Sequence, residues 1–152
     1  MCAAGAPAWR QGAGAVEATL ALLKPDLLAD ARRVQAVEWE IRERHGLAVA
    51  GRAELMWTRA QATAFYAEHH GRPFQGRLVG YMASGPLIAL ALAGPRAIAR
   101  WRAAMGATRP AVERANATAS LRARFGLTDT RNSFHGSDSP DTARRELDFT
   151  YE

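Results

Sequence analysis

Apolar residues along the chain collect into four short extended runs separated by stretches of helical spacing. Ala18 to Leu23 is almost continuously apolar and stops at Lys24-Pro25-Asp26, which predicts a central strand closed by a turn. Val34, Val37 and Ile41 recur at helical intervals, with Arg32, Glu38, Arg42, Glu43 and Arg44 mostly turned away, and His45-Gly46 ends this amphipathic helix. Leu47 to Met56 alternates loosely and predicts a second strand. Thr58 can cap a helix that carries Ala62, Phe65 and Tyr66 and runs to His69, where Gly71-Arg72-Pro73 breaks it. A short helix follows from Phe74 or Gln75 to Met82, then a third strand from Leu87 to Leu92. Ile98, Trp101 and Met105 share one helical face, with Gly106 positioned as an αL cap. Residues 107–120 lack periodicity and predict a long loop. Leu121 to Phe125 is a helical turn and Asn132 to His135 a short fourth strand. The last helix spans Pro140 to Phe149, with Ser139 as its N-cap and Pro140 at its first position.

The order β-α-β-α-α-β-α-β-α is the split βαβ, ferredoxin-like pattern, an α/β (α+β) fold in which a four-stranded antiparallel sheet carries helices on one face. One domain is expected over residues 18–152, preceded by a flexible Ala- and Gly-rich segment over 1–17 that lacks the features of a secretory signal. With 48% apolar and 23% charged residues in 152, the chain is long enough for one real core and is not of the disordered class. The longest apolar run, Leu87 to Ala93, is too short to span a bilayer. Cys2 is the sole cysteine, so no intrachain disulfide is possible and a reducing, intracellular compartment is expected.

Charge narrows the partners. Lys24 is the only lysine among 20 basic residues, leaving nineteen arginines, and the net charge of +5 points to nucleic acid or small phosphates. Arginine-aromatic interleaving is sparse. Arg100-Trp101-Arg102 is the best instance, and helical spacing assigns Trp101 to the core, which argues against single-stranded nucleic acid.

Several site classes are absent. There is no GxxxxGK[ST] loop, and Gly12 to Glu17 lacks the third glycine of a dinucleotide fingerprint and precedes a strand. HExxH is missing, and neighbouring Glu68-His69-His70 would point apart at a helix end. His135, Ser137 and Asp138 have the residue types of a hydrolase triad but lie within four residues and lack GxSxG. A neutral His135 could itself attack phosphorus, with Glu146, two helical turns beyond Ser139, orienting it directly or through Ser137. On spacing alone, a hydrogen-bonded structural histidine is the stronger reading.

The run Asn132-Ser133-Phe134-His135-Gly136-Ser137-Asp138-Ser139 resembles the active-site signature of the nucleoside diphosphate kinases, Asn-x-x-His-Gly-Ser-Asp-[Ser/Gly/Ala]. Leu22-Leu23-Lys24-Pro25-Asp26, Arg72-Pro73-Phe74, Tyr81 to Pro86 and Gly106-Ala107-Thr108 look like further blocks of that family in family order. Phe125 to Arg131 and the lengthened 107–120 loop are most similar to its nucleoside diphosphate kinase 6 branch. The resemblance implies a transferase that passes the γ-phosphate of ATP to nucleoside diphosphates through phospho-His135, oriented by Glu146 and Ser137, with Mg²⁺ bound through the nucleotide phosphates. It implies that Lys24, Tyr66, Arg102, Thr108 and Arg122 surround the phosphates, that Phe74 and Leu78 clamp the base, and that Asn132 and Lys24 contact the ribose 3′-hydroxyl. Phe74 also fits a core position, Tyr66 a helix-packing tyrosine and Arg102 a solvated face. Arg109, Arg114 and Arg124 match no role and are expected to be surface charge. The family allows cytoplasm or mitochondrion and a homo-oligomer. A longer 107–120 loop and few residues after Glu146 keep an alternative open: a weakly active regulatory subunit that needs a partner protein.

Overall fold

A computed structural model describes residues 16–116 and 118–152. Residues 1–15 of the predicted flexible segment lie outside the described residues, and the first strand begins at Glu17, inside that segment's expected boundary. The strands are β1 (Glu17–Leu23), β2 (Ala48–Leu55), β3 (Leu87–Gly94) and β4 (Phe134–Gly136), in the antiparallel order β2-β3-β1-β4 of the ferredoxin-like fold. The helices are α1 (Pro25–Leu28), α2 (Ala31–Glu43), α3 (Arg59–Phe65), α4 (Gln75–Met82), α5 (Ala97–Met105), α6 (Pro110–Ala115), α7 (Leu121–Phe125) and α8 (Pro140–Tyr151).

Helices cover both faces of the sheet, not one. Alternate side chains of a strand point to opposite sides, and β1 divides accordingly: Ala21 and Leu23 join Val37, Ile41, Leu90 and Trp101 in one core, while Leu20 and Leu22 join Phe65, Val79, Met82 and Leu147 in the other. An unbroken apolar run in place of alternation is the pattern that burial on both faces produces. That signal was present in Ala18 to Leu23.

Four local departures have physical causes. Pro25 does stop β1, but its fixed φ also starts the single turn α1. The helix capped by Thr58, whose hydroxyl and Gln61 form a reciprocal capping box, ends at Phe65; Tyr66 (φ −94°, ψ 29°) leaves the helical region and a 3₁₀ turn covers Ala67–His69. The expected 107–120 loop contains α6, started by Pro110; six residues are too few for helical spacing to register. Gly106 takes a positive φ of 80°, but its ψ of −172° puts it outside αL, in a region that essentially only glycine occupies.

Arg124 is not free surface charge. Its guanidinium donates to both oxygens of Glu40 at 2.7 and 2.6 Å, and Glu40 is buried, its pKa held low chiefly by those hydrogen bonds. The pair joins α7 to α2. Arg124→Ala strands a buried carboxylate and should cost about 2–3 kcal/mol in urea unfolding, with Arg124→Ala/Glu40→Gln recovering part of the loss. Arg114 likewise serves the backbone, donating to the carbonyl of Gly126 at 2.8 Å, and Arg109 pairs with Asp129 at 3.4 Å.

Candidate active site

The site begins at the edge of the sheet. His135 is the central residue of β4, opposite Leu22 of β1, and not the last residue of the extended run as the sequence implied. The strand is displaced toward Gly136 because Ser133 adopts the left-handed region at φ 71°, which costs a non-glycine residue on the order of 1–2 kcal/mol. Hydrogen bonds from the Ser133 hydroxyl, to Asp26 Oδ2 at 2.6 Å and to the Phe125 carbonyl at 3.1 Å, offset that cost. Asp26 Oδ1 in turn accepts from the Tyr81 hydroxyl, which itself accepts the Asp26 N–H at 2.7 Å.

Past the glycine, Ser139 caps α8 by accepting from the Thr142 N–H at 3.2 Å, with Pro140 at the first helical position. Two turns on, Glu146 returns to the strand. Its Oε2 lies 2.9 Å from His135 Nε2 and accepts from the Ser137 hydroxyl at 2.7 Å, while Ser137 Oγ accepts the Leu20 N–H at 3.3 Å. Glu146 and Ser137 are buried; the His135 side chain keeps 19% exposure. A buried carboxylate at Nε2 favours the tautomer with its proton there, leaving the Nδ1 lone pair for chemistry. The rings of Phe65 and Tyr66 meet the imidazole edge-on at 5.2 and 5.9 Å.

A cavity of about 700 Å³ opens onto His135 and is lined by Lys24, Tyr66, Phe74, Leu78, Arg102, Thr108, Arg122, Asn132 and Glu146. Every site residue expected from sequence is therefore in its wall except Ser137, which lies buried behind Glu146. Lys24, at the turn from β1 into α1, is almost wholly buried, and its Nζ donates to Asn132 Oδ1 at 2.8 Å. Asn132 is anchored by its amide to the carbonyls of Thr108 at 3.1 Å and Asp129 at 3.0 Å. Burial brings the Lys24 pKa down to about 7, helped by the Arg122 charge and opposed by Asp26. Tyr66 closes the end of α3; burial, then the Glu146 charge, raises its pKa, so it remains a neutral hydroxyl.

Arg122 is more constrained than a phosphate arginine read from sequence. Its Nη1 donates to the Gly106 carbonyl at 2.8 Å and its Nη2 to the Phe134 carbonyl at 3.0 Å. Burial, then Arg102, lowers its pKa to about 10, which keeps it charged at neutral pH. Arg122 Nε and the Tyr66 hydroxyl are buried without a hydrogen-bond partner. Two unsatisfied donors in one cavity wall suit an anionic ligand. Phe74 is 39% exposed, which removes the core reading, and Tyr66, although buried, lines the cavity. Arg102 and Thr108 are exposed and also line the cavity.

Sequence reasoning missed further charged residues of the wall: Glu68, Arg77, Asp129 and Arg145 also line the cavity, with Arg145 and Glu68 in an ion pair. His69 stacks on Tyr66 at 6.0 Å and meets Phe74 edge-on at 5.1 Å. Exposed charges carry no local pattern that would have singled them out. Among the described residues no three His, Cys, Asp or Glu side chains converge as a metal site, and no helix is long and apolar enough to cross a membrane.

Residues 17–152 match the sequence model of the family described as Nucleoside diphosphate kinase. The chain is 48% identical over 133 residues to a Homo sapiens protein named Nucleoside diphosphate kinase 6, covering 88% of this chain and 71% of that one. It is 40% identical over 136 residues to a Haemophilus ducreyi nucleoside diphosphate kinase, covering 90% and 95% respectively. The crystal structure of the Aquifex aeolicus nucleoside diphosphate kinase superposes with a TM-score of 0.84 at 36% identity, over 91% of this chain and 96% of that one.

Proposed function

The chain belongs to the nucleoside diphosphate kinase family, and from that premise we propose that it moves the γ-phosphate of ATP to a nucleoside diphosphate in two half-reactions through His135. The observation that carries the proposal is the buried Glu146 carboxylate 2.9 Å from His135 Nε2, on the side of the ring away from the free lone pair. In the first half-reaction Nδ1 attacks the γ-phosphorus, the N–P bond forms, and the bond to the bridging β-γ oxygen breaks with ADP as leaving group. The ring keeps its Nε2 proton. Positive charge developing on it is stabilised by Glu146, which Ser137 holds in place. In the second half-reaction a terminal β-phosphate oxygen of the acceptor attacks the same phosphorus and Nδ1 leaves.

Lys24, Tyr66, Arg102, Thr108 and Arg122 supply the charges and donors that stabilise the transferring group, whose charge is spread over its outer oxygens. Asn132 and Lys24 meet the ribose 3′-hydroxyl. Phe74 and Leu78 hold the base, and an aromatic face selects weakly among bases because each presents a π-surface. Mg²⁺ would arrive on the nucleotide, with phosphate oxygens and water as its ligands, and would neutralise phosphate charge; the protein's own cations would hold what remains.

Incubating the purified chain with γ-labelled ATP should label it, and the label should be lost in acid and survive base, as a phosphohistidine requires. An unlabelled chain that gains activity only when a second protein is added would favour the regulatory subunit instead.

A further inference from the structure

We propose that Trp101 is a positioning residue for His135, acting through the hydrogen bond from its indole N–H to the His135 carbonyl. The inference rests on the phosphotransfer reading above. The strand that bears the nucleophile is only three residues long and lies at the edge of the sheet, paired on one side with β1 and, among the described residues, flanked by no strand on the other. A segment held so lightly would rock, and the imidazole with it.

Among the described residues, two side chains donate to this strand's backbone. Arg122 Nη2 donates to the Phe134 carbonyl, and Trp101 Nε1 donates to the His135 carbonyl, each at 3.0 Å. Trp101 is completely buried, and an indole N–H in such a place needs a partner. Its ring also meets Phe134 edge-on at 5.9 Å. It packs so closely on Gly136 that a β-carbon there would lie 2.6 Å from Trp101 Cδ1 and 2.9 Å from Nε1. One side chain thus touches all three residues of β4. Arg102, the next residue of α5, lines the cavity. A single helical segment therefore fixes both the nucleophile's backbone and a cation that faces the phosphates.

Two replacements separate the hydrogen bond from the packing. Trp101→Phe removes the N–H and part of the ring. Site-specific replacement of Trp101 by 3-benzothienylalanine exchanges only the N–H for sulfur and leaves the shape in place. In single-turnover labelling by ATP, the benzothienyl protein should be phosphorylated about 10-fold more slowly at saturating nucleotide, with the ATP dissociation constant within about twofold of the parent, because small displacements of a reacting group cost rate before affinity. In nitrogen NMR of the nucleotide-free protein, the parent His135 ring should report one tautomer with its proton on Nε2. The benzothienyl protein should report a mixture.

Unchanged ring signals would overturn the proposal, as would an unchanged labelling rate or a loss confined to ATP affinity. A parent chain that never takes up label would sink the kinase reading alone, and the ring signals would still decide whether Trp101 orients His135. Should Trp101→Phe fail to fold, the benzothienyl protein carries the test.

Discussion

His135→Asn should abolish both labelling by γ-labelled ATP and nucleoside triphosphate formation, lowering the rate by roughly 10⁴-fold or more, since among the described residues no other group lining the cavity combines a free lone pair with a buried carboxylate behind it. Asparagine is smaller than histidine and stops short of Glu146, whose Oε2 still accepts from the Ser137 hydroxyl at 2.7 Å, so the variant should fold and bind ATP as the parent does. Equal melting temperatures and equal ATP dissociation constants, measured alongside the rates, would assign the loss to chemistry. Full labelling of the variant would move the nucleophile elsewhere. His69 is the residue to inspect in that event, because it also lines the cavity.

Lys24→Met should lower the rate of phosphoryl transfer by roughly 10²- to 10³-fold, the usual range when a preorganised charge is removed from a developing anion. The same residue gives a pH signature. With a folded pKa of about 7 against an ordinary 10.5, Lys24 is largely neutral in the nucleotide-free protein at pH 8, and a bound triphosphate would restore its proton. Calorimetry of ATP binding in buffers of different ionisation heat should therefore detect uptake of about one proton in the parent and much less in Lys24→Met. Stability follows with the opposite sign to a salt bridge. A lysine whose pKa falls on folding costs stability in full below about 7, and the cost fades as pH rises toward 10.5, because the unfolded chain binds more protons in that window. The nucleotide-free parent should therefore gain unfolding free energy, on the order of a few kcal/mol, between pH 7 and 10 relative to Lys24→Met. A flat difference between the two proteins across that range would contradict the shifted lysine.

Much of this was legible in the residues, and the reasons differ by element. Capping chemistry is local, so Thr58, Ser139 and Pro140 announced their helix starts. Helical spacing of Ile98, Trp101 and Met105 correctly put Trp101 in the core, yet nothing in the sequence could say that its N–H would meet the His135 carbonyl 34 residues away. The seven-residue interval from Ser139 to Glu146 did bring a carboxylate back to the histidine, because two turns of helix return to the same side. The left-handed Ser133 was illegible for the opposite reason: what offsets its strain is Asp26, 107 residues earlier in the chain. Arg124 looked like solvent charge because the carboxylate it neutralises is on α2. Gathering Lys24, Tyr66, Arg102, Arg122 and His135 around one opening was expected only from the family resemblance, since no periodicity connects them.

Asp26 has a mechanical meaning as well. One of its oxygens accepts from Tyr81 near the C-terminal end of α4 and the other from Ser133, two residues before the histidine. That end of α4 is thus tied to the same carboxylate as Ser133, while Phe74 at its N-terminus and Leu78 at its middle line the cavity. Phe74 and Leu78 are therefore carried by a helix whose far end is tied through Asp26 to Ser133, which sets the spacing between that wall of the cavity and His135.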